Sequence, residues 1–230
     1  MKETKKQPII GIVTCFDDGY RLPLSSSSLY IRRDYSRAIA SVGAVPVLLN
    51  PDMPIDYIVE LCDGVVISGG EDIEPEIYGG APNLYPKEPS ERTLWEFELL
   101  KKCDKFKLPV LGVCYGMQLL AVNYGGAIHQ DIETEVPECI NHNNTTHKVI
   151  FTEDFLGYSQ GEQAVVNSRH HQAVASLPDG FVACAESSDG VIEAMKGRGH
   201  FGVQWHSEAD ETSRHIYRTF VDYCQKTASG

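Results

Sequence analysis

Cys114 stands between Gly112 and Gly116 in the run "PVLGVCYGMQLLAVNYGG", Pro109 to Gly126. An inert buried thiol has no need of two flanking glycines, whereas a nucleophile does. Gly-x-Cys-x-Gly is the pattern of an elbow that turns an apolar strand sharply into a helix. The glycines leave room where a Cβ would meet the neighbouring strand and helix. The cysteine then lies at the N-terminus of an amphipathic helix, where partial positive charge favours thiolate. The backbone N–H of Tyr115 points to the same place and can meet an oxyanion. On the elbow alone, a tight turn around an inert core cysteine fits equally well.

A cysteine nucleophile needs a histidine base, and the histidine an orienting partner. In "GVQWHSEAD", His206 ends an apolar strand and Glu208 follows two residues on. In an extended segment residues i and i+2 point the same way. Glu208 could therefore hold the imidazole in one tautomer while its other nitrogen faces the thiol. Among the other histidines, His129, His142, His147, His200 and His215 stand in polar text and are expected to be solvated. His170 and His171 in "VNSRHHQAV" are adjacent on a strand, so at most one faces a given site. No H-E-x-x-H or paired C-x-x-C occurs, and single ligands scattered along a chain rarely make a site, so no metal is expected.

The elements that must position these groups alternate in the first half. "PIIGIVTC" reads as a buried strand and "YIRRDYSRAIASVG" as a helix ended by Gly43, with Ile31, Tyr35, Ala38, Ile39 and Val42 at helical spacing. "AVPVLLN" is a strand, "PIDYIVELC" a helix opened by proline, and "DGVVISGG" a strand running into two glycines. A polar loop over Glu71 to Glu91 leads to the helix "TLWEFELLKKCDKF", the strand "PVLGVC" and the helix stopped by Gly125 and Gly126. Such alternation predicts a mostly parallel sheet with helices on both faces. The second half reads "THKVIF", "AVVNS", "FVACAES", "GVIEAMKG" and "HFGVQWH" as short, partly antiparallel strands, closed by the helix "ETSRHIYRTFVDYCQ". The run Ser25 to Ser28 is expected to be a loop.

The chain has 230 residues with 42% hydrophobic content, enough for a sizeable core in one α/β domain spanning 1–230. A net charge of −12 without any basic stripe argues against nucleic acid and anionic membranes as partners. Seven cysteines, an odd number, suit a reducing compartment, where most act as small hydrophobes. The first apolar run is short and "DDGYR" follows it at once, so a core strand is expected there rather than a signal peptide, and a cytoplasmic location. No apolar run is long enough to span a bilayer. No G-x-G-x-x-G follows the first strand, which excludes a dinucleotide fold.

Taken together, "GVVISGGEDIEPEIYG", "PVLGVCYGMQLLAVNYGGAIHQDI", "VNSRHHQAV", "SSDGVIEAM" and "FGVQWHSE" resemble the class I glutamine amidotransferase superfamily. Within it the chain is similar to the γ-glutamyl-γ-aminobutyrate hydrolase, or peptidase C26, branch. The resemblance implies a flavodoxin-like three-layer sandwich, a catalytic triad of Cys114, His206 and Glu208, and an oxyanion hole at Gly70 and Tyr115. It implies substrate contacts from Gln118, Ser168, His170 and Gln172. It also implies no cofactor, a small γ-glutamyl substrate and a homodimer as the assembly to test. The activity so implied is hydrolysis of a γ-glutamyl amide through a thioester. A glutaminase subunit serving a separate synthase shares the elbow and triad, and a non-catalytic binding protein on the same fold would have lost one of them. This chain departs from its relatives at Ser207, where most carry proline. It also departs at Leu94 and Trp95, where an Arg-Asp pair is usual, with Arg92 nearby. The segment between Ile132 and Ala164 is shorter than in many relatives.

Overall fold

The computed structural model describes residues 7–17, 27–80 and 90–228. Its first half forms β1 (Ile9–Val13), β2 (Cys15–Asp17), β3 (Ser28–Tyr30), α1 (Arg33–Ser41), β4 (Val45–Leu49), α2 (Ile55–Leu61), β5 (Gly64–Ile67), α3 (Glu91–Phe106), β6 (Val110–Val113) and α4 (Tyr115–Asn123). The second half adds β7 (Ala127–His129), α5 (Ile132–Glu135), β8 (Thr145–Phe151), β9 (Gln163–Ser168), β10 (Ala173–Ser176), β11 (Phe181–Ser187), β12 (Ile192–Gly197), β13 (His200–Val203) and α6 (Ser213–Thr227).

The main sheet runs β4-β1-β5-β6-β13-β12-β11-β8-β9, with β10 pairing β12 and β7. The pairs from β4 to β13 are parallel, and those from β13 to β9 antiparallel. Strands β1, β5 and β6 are covered on both sides, which is why they read as unbroken apolar runs. On one face Ile10, Ile12, Leu111 and Val113 pack with Tyr35 and Ile39 of α1 and Ile216 and Phe220 of α6. On the other, Val65, Ile67 and Val110 pack with Ile58 of α2, Leu99 of α3 and Leu119 of α4. The result is the expected three-layer α/β sandwich.

Several expectations are corrected. Helix α4 is not amphipathic: Tyr115 to Val122 are all buried, because the sheet and the β7–β10 flap enclose it. The strand through Phe201 stops at Val203, so His206 does not end it. Instead, His206 (φ −82°, ψ 75°) leads a single 3-10 turn over Ser207–Ala209. Ile31 precedes α1 rather than belonging to it. The small β2–β3 pair and strands β7 and β10 are additions that periodicity did not signal. Ser28 opens β3, while Ser25 and Ser26 lie outside the described residues. The loop expected over Glu71 to Glu91 holds a 3-10 turn at Pro75–Ile77, and its residues 81–89 also lie outside them. His142 and His200 are buried at 2% exposure each, and the His147 side chain is 7% exposed, so these three are not solvated. Among the described residues no helix is long and apolar enough to cross a membrane.

Candidate active site

The carboxyl ends of β5, β6 and β13 lie side by side, and each delivers one part of a site. Strand β6 delivers Cys114. Its backbone sits at φ 54°, ψ −110°, a region that side-chain-bearing residues rarely occupy and that costs on the order of 1–3 kcal/mol. The surrounding packing enforces the turn. A Cβ on Gly112 would lie 2.3 Å from the Gly116 carbonyl oxygen, and one on Gly116 would lie 2.3 Å from that of Ile67. Helix and strands thus touch backbone to backbone, and the Cys114 N–H donates to Val203 O at 2.8 Å. The thiol, 8% exposed, receives a hydrogen bond from Gln204 Nε2 at 3.6 Å.

Strand β13 delivers His206. Its Nδ1 and Glu208 Oε1 are 2.8 Å apart, and Cys114 is close enough to influence its protonation. Burial disfavours the imidazolium, yet the hydrogen bonds and charges of Cys114 and Glu208 outweigh it and push His206 up to about 10. The pairing foreseen from an extended i, i+2 spacing is therefore present, made by a different backbone. His206 centres an inverse γ-turn closed by Ser207 N–H to Trp205 O at 3.0 Å. A proline at 207 could not make that bond. The serine therefore holds the turn rather than loosening it. Asn167 of β9 clamps the same residue, donating from Nδ2 to His206 O at 2.8 Å and accepting from His206 N–H at 3.2 Å.

Strand β5 delivers Ser68, Gly69 and Gly70. Arg92 of α3, buried, donates to Ser68 O at 2.9 Å and to Gly69 O at 3.1 Å. Its Nε reaches Glu96 at 2.8 Å, and Tyr115 Oη donates to the other Glu96 oxygen at 2.7 Å. Tyr35 Oη accepts from Gly69 N–H at 2.9 Å. A Cβ on Gly69 would come within 2.8 Å of the His206 ring, and one on Gly70 within 2.6 Å of Arg92. This loop must be glycine because the base and the guanidinium approach it so closely. Tyr115 begins α4, so its N–H has no partner within the helix.

A cleft beside the site is lined by Cys15, Tyr30, Ile31, Arg32, Tyr35, Gly69, Gly70 and His206. Gln118 is buried behind the thiol and donates to Gln172 O at 3.0 Å and to Gln204 Oε1 at 3.3 Å. The structure thus links Gln118 and Gln172 to Cys114 through Gln204. None of the four expected substrate contacts, Gln118, Ser168, His170 and Gln172, lines the cleft: Ser168 donates to His142 O at 2.7 Å, and His170 faces Glu193. His170 is buried while His171 points outward to Asp72, but both lie in the turn between β9 and β10 rather than on a strand as expected. The sequence reading passed over Asn167, Gln204, Tyr35 and Glu96. Asn167 carried a signal, since it is one residue from Ser168 and so faces the opposite side of β9. Tyr35, Gln204 and Glu96 read as ordinary helix or strand residues.

Comparison with known proteins adds a second line of observation. The family model described as Peptidase C26 matches residues 8–208. Rv2859c of Mycobacterium tuberculosis, whose name provisionally places it among glutamine amidotransferases, is 31% identical over 94% of this chain and 74% of its own length. The gamma-glutamyl-gamma-aminobutyrate hydrolase of Escherichia coli O157:H7 is 26% identical over 98% and 96%. Among solved structures, a Thermoplasma acidophilum protein provisionally named as one subunit of a GMP synthase superposes with a TM-score of 0.71. At 19% identity over 98% of both chains, that likeness speaks to the fold.

Proposed function

The chain belongs to the peptidase C26 family, and on that premise we propose that it hydrolyses the γ-glutamyl amide bond of a small γ-glutamyl compound. The observation that carries this reading is the strained turn that presents Cys114 to a His206 held by Glu208. In the proposed cycle the Cys114 thiolate attacks the side-chain amide carbonyl. The N–H groups of Gly70 and Tyr115 receive the developing charge. His206, protonated, gives its proton to the leaving amine, and a γ-glutamyl thioester remains on sulfur. His206, now neutral, takes a proton from water, the hydroxide attacks the thioester, and glutamate leaves.

Arg32, its Nε 3.8 Å from Asp34, joins His206 in the cleft lining and favours a leaving amine that carries a carboxylate. Gln118 and Gln172 are assigned to holding the glutamyl end from behind the thiol. Ser168 and His170 support that wall from the buried side. The test is glutamate release from glutamine, γ-glutamyl-γ-aminobutyrate, γ-glutamyl polyamines and short polyglutamates. Release by the wild type should fall by about 10⁴ or more in Cys114→Ala. A folded wild type that releases no glutamate from any of these compounds refutes a freestanding hydrolase. Release that appears only when a synthase is added would replace it with a glutaminase serving that synthase.

A further inference from the structure

Away from the thiol, four side chains from four separate segments meet in the interior. His142 comes from the segment before β8, His147 from β8, His170 from the turn after β9, and Glu193 from β12. Their ligand atoms all lie within 4.8 Å of one another. Glu193 is 0% exposed, His142 2% and His170 6%, and the His147 side chain is 7% exposed. Glu193 Oε1 lies 3.3 Å from His142 Nδ1, 3.3 Å from His147 Nε2 and 3.7 Å from His170 Nε2.

Those separations suit a shared cation better than hydrogen bonds. An N–H···O bond is normally about 2.9 Å. Among the described residues neither Glu193 oxygen, nor His147 Nε2, nor His170 Nε2 has a hydrogen-bond partner. Leaving buried polar atoms so unpaired is costly. By contrast, a tetrahedron with metal–ligand bonds of about 2.0–2.1 Å has edges of about 3.3 Å.

The outward nitrogens are the independent observation. His142 Nε2 is 2.9 Å from Asp189 Oδ2, His170 Nδ1 is 3.0 Å from Gln172 O, and His147 Nδ1 is 3.3 Å from Lys148 O. Each of those partners only accepts, so each outward nitrogen carries the hydrogen. In the neutral ring, the form that binds a metal, the inward nitrogen then keeps its lone pair. Ser168 Oγ is 3.4 Å from His142 Nδ1, but its hydrogen goes to His142 O at 2.7 Å. Three imidazole lone pairs and one carboxylate thus converge, each ring fixed from behind by an acceptor, as metal-binding histidines are. Asp189 is itself oriented by Ile140 N–H at 2.9 Å.

We propose that His142, His147, His170 and Glu193 bind one divalent transition-metal ion, zinc by the donor set. With four protein ligands the site is closed and structural, pinning segments that lie far apart in sequence. It reaches the nucleophile only indirectly: His170 and Gln118 share the Gln172 carbonyl. This proposal does not rest on the hydrolase reading.

The test uses the full chain. Protein stripped by a chelator and gel-filtered is given Zn(II), then assayed for retained metal by mass spectrometry and for Tm. One equivalent should be retained, with Tm raised by about 5–10 °C at a hundredfold excess over Kd. Co(II) in place of Zn(II) should give the intense visible bands of a tetrahedral site. His147→Gln and Glu193→Gln should each lose the retained ion and the Tm response. Should a variant fail to fold, the wild-type Co(II) spectrum still decides. A folded wild type with no retained ion and no Tm response overturns the proposal, as does full retention in both variants.

Discussion

His206 carries two opposed influences, and their balance sets the pH range of the site. Burial alone would keep the ring neutral, whereas Cys114 and Glu208 together hold its proton up to about 10. Its unfolded value is about 6.5. The interaction therefore contributes fully below about pH 6.5 and is lost as pH rises through about 10. Because the leaving amine needs that proton, kcat/KM should fall on an alkaline limb near 10. Glu208→Gln removes one of the two charges and should move the limb down by about 1–3 units. It should also cut kcat by about 10²–10⁴ by freeing the ring to take other orientations. The rate of thiol alkylation against pH reads the same shift without any substrate, and an unmoved limb would show that Glu208 does not hold the proton. Cys114, His206 and Glu208 were legible because a glycine-flanked thiol and a His-x-Glu pair are local patterns. Arg92 was noticed only as a stand-in for a missing pair. Its hold on the Ser68 and Gly69 carbonyls depends on α3 packing over β5, which no local pattern encodes.

The β6–α4 elbow shows how elements position the residue. Strand and helix meet so closely that Gly116 has backbone, not a flexible side chain, 2.3 Å from where a Cβ would stand. Gly116→Ala should therefore destabilise by about 1–3 kcal/mol, at the upper end of overpacking because a carbonyl cannot rotate away. Urea unfolding measures the loss, and Gly125→Ala tests the contrasting case. Gly125 has open space around its Cβ direction but φ +91°, so its cost arises from backbone strain. A loss at Gly116 below about 0.5 kcal/mol would mean that the elbow can open. The parallel half of the sheet was legible because doubly covered strands read as apolar runs between helical segments. Strands β7 and β10 were not, since three or four residues give too few alternations to show a period. The turn at His206 was hidden for another reason. Trp205 and His206 follow β13 in the sequence with no turn residue between, and the chain is turned away by the Ser207 N–H to Trp205 O bond and the Asn167 clamp on His206. The buried histidines were misread because polar neighbours in sequence say nothing of what β12 brings beside them.

At the scale of the whole molecule, the net charge of −12 opposes the local chemistry of the cleft. A chain of this length folds to a body of about 20 Å radius. At 0.01 M salt, with a Debye length of about 30 Å, a charge of −12 gives a surface potential of about −2.5 kT per unit charge, taking water's dielectric constant. At 0.15 M, where the length is about 8 Å, it falls to about −1.2 kT. γ-Glutamyl-γ-aminobutyrate carries one net negative charge, glutamine none, and a γ-glutamyl diamine one positive. Raising salt across that range should therefore increase kcat/KM about fourfold for the anion, leave glutamine nearly unchanged, and lower it about fourfold for the cation. Arg32 lines the cleft and acts at shorter range than the screening length, so it should survive the added salt. In Arg32→Gln the anion should lose its advantage at high salt, while the slope with salt, set by the remaining charges, persists. A wild-type anion whose kcat/KM falls as salt rises would show the local cation to govern encounter as well as binding. The net charge would then have no part in choosing the substrate.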